Sequence, residues 1–260
     1  MQTKISDLLP AEVKRPEAVT FLIVVGALIV AEVGVATGTI SSLLLRRPTD
    51  VFVELVAIVQ TPSMIADIRL TIERILITTV VSILVGMTMS IVFWRSDLLR
   101  KAYLPFLGAL FATPIVLIYP IFVVILGRGS AAIIAISLVV GIIPIAINAT
   151  GGLVNVDQTL VKVGRSMNVS PRQMITKVII PDAAPDIFAG IRIGFAYIVT
   201  SVIAVEFLLA TEGLGGRISN AYLRFSTTEM FVSIVLVLLL VVLSIALFRN
   251  IEGRIRQDEN

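Results

Sequence analysis

Apolar residues along this chain come in long blocks that do not alternate with polar ones. Each block is about 20 residues, the length a helix needs to cross a hydrocarbon core of about 30 Å. Six can be placed, at about 19–40, 70–93, 104–126, 131–150, 186–210 and 229–248. Membrane β-strands would alternate apolar and polar positions, so a barrel is excluded. The pattern predicts an all-α integral membrane protein with about six transmembrane helices. Between 48 and 60, Val51, Phe52, Leu55, Val56 and Val59 recur at helical spacing. That spacing predicts an amphipathic helix lying on the membrane surface.

The polar punctuation is densest from about 155 to 185, where two short helices should meet at a corner. Asp157 can cap the first helix. Ser170, Pro171 and Gln173 start the second as N-cap, first-turn proline and capping-box partner. Val169 and Met174 fall where a hydrophobic staple would. Pro181 and Pro185 are expected to stop that helix before the next apolar run. Pro105, Pro114, Pro120, Gly127, Gly129 and Pro144 interrupt the third and fourth blocks. Such residues kink membrane helices along transport pathways or simply set packing geometry.

Composition sharpens the class. Hydrophobic residues make up 57%, charged residues 15%, and the mean hydropathy is +1.01. There is no Cys and no His. Disulfides, thiol chemistry and the usual zinc sets are thereby removed, as is the commonest general base. No catalytic residue and no metal site is expected. No Gly-x-x-x-x-Gly-Lys-Ser/Thr loop occurs, and Gly213-Leu-Gly-Gly216 is not one, so the chain should not hydrolyse ATP by itself. Lys4, Lys14 and Arg15 precede an apolar run from Val19 to Ala36 that is long for a signal peptide and reads as a retained span.

The net charge of +3 matters less than its placement. With the N-terminus inside, the inside segments hold Lys4, Lys14, Arg15, Arg95, Arg100, Lys101, Lys162, Arg165, Arg172, Lys177 and the arginines of the tail. Arg46, Arg47, Arg69, Arg74, Arg128, Arg217 and Arg224 fall outside, a bias near two to one. The elbow and both termini are then cytoplasmic. Glu32, Arg192 and Glu206 lie in or near spans, where ionisable groups are costly and often functional. Glu32 should reach the outer interface and Arg192 should snorkel to the inner one. Glu206 could line a path or pair with an Arg across the bundle. Thr113, Tyr119, Ser137, Asn148, Tyr197, Thr200 and Ser201 are further candidates to face a cavity.

The elbow carries a resemblance. Lys162-Val-Gly-Arg-Ser-Met-Asn168 followed by Val178-Ile-Ile-Pro181 resembles the cytoplasmic signature loop of permease subunits of binding-protein-dependent ABC importers. That signature begins Glu-Ala-Ala, places Gly four residues after the second Ala, and reaches Ile-x-Leu-Pro after nine more residues. The spacing is kept here while letters change. Asn168 stands for the Gly, and Lys162-Val163-Gly164 for Glu-Ala-Ala. Pro181, Pro185, Gly190 and Arg192 resemble the nitrate/sulfonate/taurine branch. So do Glu206 with Glu212-Gly-Leu-Gly215, Ser82 to Gly86, Pro105, Pro114 and Gly127-Arg-Gly129. The resemblance spans roughly 65 to 250.

It implies a type I ABC importer permease in a bacterial-type inner membrane. Its elbow would be a coupling site, made of Lys162, Val163, Gly164, Arg165, Met167, Asn168, Ser170, Pro171 and Pro181. The implied partners are a second permease copy or a paralogue, two cytoplasmic ATPase subunits, an external solute-binding protein and membrane lipid, with no nucleic acid. ATP and Mg would be held by the ATPase, and this chain would bind no cofactor. The solute would be a small organic or inorganic anion such as a sulfonate or nitrate. Thr113, Tyr119, Asn148, Tyr197, Ser201 and Glu206 are the candidate path residues. The expected division is an N-terminal segment 1–18, a first span with its external amphipathic segment 19–64, a core 65–250 and a tail 251–260. Asn168 suits a left-handed corner almost as well as Gly. Lys162 reverses a charge, so the partner ATPase has changed with it, or a second permease carries the usual residue. The alternative is a carrier driven by an ion gradient, with Glu206 as its one plausible coupling group.

Overall fold

The computed structural model describes residues 16–42, 44–114 and 117–257; of residues 16–18, 21 and 249–257 only the backbone is described. The expected charged leader and most of the basic tail lie outside the described side chains. The described chain is helical. Helix α1 spans Pro16–Ala36, α2 Pro48–Ile58, α3 Pro62–Arg95, α4 Asp97–Ala112, α5 Tyr119–Leu126 and α6 Ser130–Val154. After them come α7 Gln158–Ser166, α8 Pro171–Met174, α9 Ile180–Leu209, α10 Leu214–Leu223 and α11 Thr227–Gln257.

Local chemistry sets the boundaries. Thr61 caps α3, accepting from the Met64 N–H at 3.4 Å, and Pro62 occupies its first turn. Ser96, in extended conformation, separates α3 from α4 and caps α4 through the Leu99 N–H. The helix expected at 48–60 is α2, with Val51 buried and Phe52, Val53 and Val56 exposed. Its own N-cap position, Arg47, makes no side-chain cap. Glu32 supplies a carboxylate there instead, accepting from Thr49 Oγ1 at 2.8 Å and the Thr49 N–H at 3.2 Å. A carboxylate at a helix N-terminus meets the positive end of the helix dipole.

Among the described residues, four helical stretches are long and apolar enough to cross a membrane: Pro62–Arg95, Ser130–Val154, the run that begins at Pro171, and Thr227–Phe248. Two expectations change. The block at 104–126 is two helices in series, α4 and α5, with a break around Thr113 and Pro114. Pro114 favours extended backbone in the residue before it, and Thr113 is extended with ψ 133°. Pro181 and Pro185 also fail to stop the second elbow helix. From α8 the chain passes through a π-helical turn, Ile175–Ile179, directly into α9. The Ile180 N–H bonds the Ile175 carbonyl. Pro181, which has no N–H, follows where the ladder has already changed register, so it removes little.

The core is the packing of α3, α6 and α9. Ile75, Ile133, Ile136, Ile198, Val199, Val202, Val205 and Leu209 form one buried cluster. Small residues let the backbones approach, as membrane helices commonly require. A Cβ on Gly194 would stand 2.9 Å from the Gly141 carbonyl oxygen and from Ile145 Cγ1. Helix α11 keeps much of its surface free, with Leu238, Leu239, Val242, Leu243 and Leu247 exposed, as lipid contact demands.

Gly194→Ala should therefore destabilise the detergent-solubilised protein by about 1–3 kcal/mol, since a backbone carbonyl cannot step aside. Gly108→Ala, where a Cβ meets nothing within 4 Å, should be neutral or slightly stabilising. Thermal unfolding of the two variants side by side is the check.

Candidate functional site

The elbow projects from one end of the bundle. The Asp157 carboxylate accepts the Thr159 N–H at 2.7 Å and caps α7. That bond holds the Asp157 pKa below its usual value. The cap is therefore complete at neutral pH and is lost only in acid, as pH falls through the depressed value. The Asp157 N–H donates to Asp182 Oδ2 at 2.9 Å, tying the start of α7 to the first turn of α9. Val161, like Trp94, packs on the buried cluster of Leu153, Val156 and Ala183. The corner itself is left-handed: Asn168 has φ 53°. Ser170 and Gln173 complete a reciprocal capping box, at 3.3 and 2.9 Å. Val169 and Met174 both sit against Gly164, where a Cβ would meet Met174 Cε at 2.9 Å. Gly164 is thus the crossing point of the two elbow helices. The side chains of Lys162, Val163, Arg165, Met167, Asn168, Ser170 and Pro171 are exposed.

The opposite end of α9 holds a buried polar network. Glu206 is fully buried and pairs with Arg74 on α3 at 2.7 Å. Thr71 Oγ1 donates to Glu206 Oε2 at 2.9 Å and accepts the Leu214 N–H at 2.9 Å. The Gly215 N–H reaches Glu206 Oε2 at 3.1 Å. The carboxylate therefore sits at the N-terminus of α10. Arg74 also donates to the Glu212 carbonyl and to Ser130 Oγ. One step further out, Arg217 of α10 bridges Asp67 of α3 at 2.7 Å and Glu229 of α11 at 3.1 Å. Arg128 donates to the Leu209 carbonyl. These groups border an open cavity of about 690 Å³, lined by Asp67, Arg74, Arg128, Glu212, Arg217 and Arg224 among others.

Of the two roles expected for Glu206, the structure gives it the pairing one, and its partner is Arg74. Thr71, Arg74, Asp67, Arg217 and Glu229 escaped the sequence reading as a group. Arg74 carried a usable signal, because an Arg four residues into an apolar block needs an acid across the bundle. The other candidate path residues do not converge on that cavity. Thr113 is exposed at the end of α4 and Tyr119 packs half-buried on the α9 cluster. Asn148 bonds the Pro144 carbonyl at 2.8 Å. Tyr197 is 47% exposed and meets Phe111 edge to face at 4.8 Å. Ser201 is buried, accepting from Ser137 at 3.0 Å. Thr200 is exposed and bonds the Ala196 carbonyl. Among the described residues no cluster of acids could hold a metal ion.

Long apolar helices and a capped elbow continuous with a spanning helix define a multi-pass membrane protein. The profile of the family described as "binding-protein-dependent transport system inner membrane component" matches residues 82–257, and the chain belongs to that family of ABC transporter permeases. It is 25% identical to a probable ABC transporter permease of Brucella melitensis, over 77% of this chain and 80% of that protein. It is 28% identical to the nitrate import permease of Leptolyngbya laminosa, over 74% and 69% of the two chains. It is also 28% identical to the taurine transport permease of Escherichia coli K12, over 57% and 54%.

Removing one partner of the buried pair leaves an uncompensated charge. Arg74→Met should cost about 3–5 kcal/mol and lower the yield of monodisperse protein. Arg74→Met combined with Glu206→Leu should recover much of that loss. Thermal unfolding of wild type, both single variants and the double variant completes the cycle. Strict additivity of the two single effects would show that the pair is not coupled.

Proposed function

We propose that this chain is the transmembrane subunit of an ATP-driven importer, and that its elbow receives the stroke of a separate ATPase. The observation that carries this reading is the elbow's build. Both of its helices are capped, and they cross at Gly164 around a left-handed corner. The second helix runs without a loop into α9. A rigid pair joined to a spanning helix passes on rigid-body motion, which a flexible linker would absorb.

The assembly would hold two permeases, this chain twice or with a paralogue, and two ATPase subunits carrying ATP and Mg. An external binding protein would deliver the solute. The elbow and both termini would lie in the cytoplasm, as the Lys and Arg distribution supports. The cavity between Arg74, Arg128 and Arg224 then opens on the outer side. Nitrate and taurine, named for two relatives, support a small anionic or zwitterionic solute. Thr113, Tyr119, Asn148, Tyr197 and Ser201 are the proposed contributors to the path. Tyr197 and Thr113 offer the exposed polar groups. An ion-gradient carrier is less well supported, because Arg74, Thr71 and Gly215 already hold the carboxylate it would use.

Reconstitution in liposomes tests the reading. The complete complex should accumulate solute when ATP is supplied, and the lone chain should neither hydrolyse ATP nor accumulate solute. Uptake by the lone chain under an ion gradient would replace this proposal with the carrier. In the complex, Asn168→Pro should leave ATP hydrolysis running while solute uptake falls to background, because proline cannot take φ 53°. Normal uptake by that variant would make the elbow a mere linker.

A further inference from the structure

The turn between α10 and α11 breaks a rule that the elbow keeps. Helix α10 ends in a Schellman closure: the Ser226 N–H reaches the Ala221 carbonyl at 2.9 Å, and the Phe225 N–H reaches the Tyr222 carbonyl at 3.1 Å. The residue that turns such a corner is left-handed, a place for Gly or Asn. The elbow has Asn168 there, whereas α10 has Phe225, with φ 55°. A bulky side chain strains that backbone, and strain persists only where something compensates for it. No packing within the described chain does so, because Phe225 is 85% exposed. Tyr222 and Leu223 beside it are exposed too.

The level of this ring in the membrane follows from α11. Its apolar stretch Thr227–Phe248 has 22 residues, about 33 Å of helix, which matches a hydrocarbon core of about 30 Å. Arg249 follows at the far end. Phe225, just before Thr227, then falls at the boundary between headgroups and acyl chains. Helix α2 stands near the same level. Arg46, at its lead-in, donates to Thr227 Oγ1 at 2.8 Å. Helix α3, which follows α2, is tied through Asp67 and Arg217 to Glu229 in the first turn of α11. Both ends of α2 are thus held near the start of α11, the end at which Phe52, Val53 and Val56 are exposed. Charge does not choose the partner here, since Glu32, Asp50, Glu54 and Glu229 stand among Arg46, Arg47 and Arg224.

We propose that Phe225, with Tyr222, Leu223 and the exposed apolar residues of α2, is a lipid anchor. It is seated in the boundary zone of a phospholipid bilayer, at the end of the bundle opposite the elbow. Aromatic rings at the ends of spanning helices favour that zone. Burial of the ring there offsets the left-handed strain. Glu229 lies one helical turn beyond Phe225, so the anchor fixes the depth of the Arg217 bridge and of the cavity beside it. Such an anchor requires only that the chain span a membrane and is independent of what the elbow meets.

Trp94 is the one Trp of the chain. Trp94→Phe with Phe225→Trp therefore gives the full-length protein a single reporter at the turn. Trp94→Phe with Phe52→Trp places the reporter on α2 and serves if the first variant fails to fold. In vesicles of phosphatidylcholine brominated near the glycerol end of the acyl chains, each reporter should lose about half of its emission, since boundary aromatics sit at headgroup level. Bromine near the chain methyls should quench less, iodide in the water should quench little, and added phosphatidylglycerol should change nothing. In detergent, Phe225→Gly should melt about 2–4 °C above Phe225→Ala, because glycine takes the left-handed position without strain. Quenching by iodide and not by brominated lipid would place the ring in water and overturn the anchor. Iodide quenching that disappears only when an external binding protein joins the complete complex would make the partner a protein, which also overturns it. Lipid quenching confined to vesicles with phosphatidylglycerol would show that charge and not the ring holds the turn, against the proposal. Equal melting of Phe225→Gly and Phe225→Ala would leave no strain for lipid to offset, and the anchor would fall with it.

Discussion

A buried ion pair holds one end of this molecule together. Arg74 and Glu206 stand on different spanning helices with almost no solvent contact. Two charges withdrawn from water are tolerable only if every remaining donor and acceptor is used. Here they are used on Thr71 of α3, Ser130 of α6, the Glu212 carbonyl just before α10 and the Gly215 N–H of α10. The pair therefore fixes α10 against α3 and α9 as well as joining those two. Glu206 also occupies the position of an N-cap for α10, whose flanking Gly213 makes no side-chain cap of its own. The glycines there serve close approach. A Cβ on Gly216 would fall 1.4 Å from the Thr211 carbonyl oxygen.

The two ends of α9 differ in kind because their surroundings differ. At the Glu206 end, polar groups are buried, paired and spread over several helices. At the Asp157 end they are exposed, and they satisfy local backbone at helix termini. The first arrangement resists movement, since breaking any contact strands a buried charge. The second gives a stiff body attached to the bundle at few points. A helix anchored at one end and continuous with a stiff capped body at the other would carry displacement between them, as the proposed coupling role requires.

What the sequence made legible follows the range of the interactions. The elbow depends on neighbours a few residues apart. Asp157, Ser170, Gln173 and Asn168 accordingly do what their spacing implied, down to the left-handed corner. Apolar block length marked the spanning helices, although it could not show that Thr113 and Pro114 divide one block into α4 and α5. The buried network joins residues more than 130 positions apart. Only Glu206 was singled out in advance, because no local rule pairs Thr71 or Arg74 with it. The misjudged stop at Pro181 has a third cause. Proline breaks an α-ladder, but the preceding turn was no longer α, and its five residues Ile-Thr-Lys-Val-Ile carry no obvious mark of a π turn.

That wide turn also sets a phase. One additional residue in an otherwise α-helical path rotates everything beyond it by about 100° about the helix axis. The direction in which the elbow points, relative to the faces of α9 that meet α3, α6 and lipid, is therefore fixed by a single residue of winding. The distance along the chain from Asn168 to Gly194 is in effect an angular setting. Were this turn to relax to α geometry while α9 stayed locked at Gly194 and Glu206, the elbow would swing by about 100° around the axis and shift only about 1.5 Å along it.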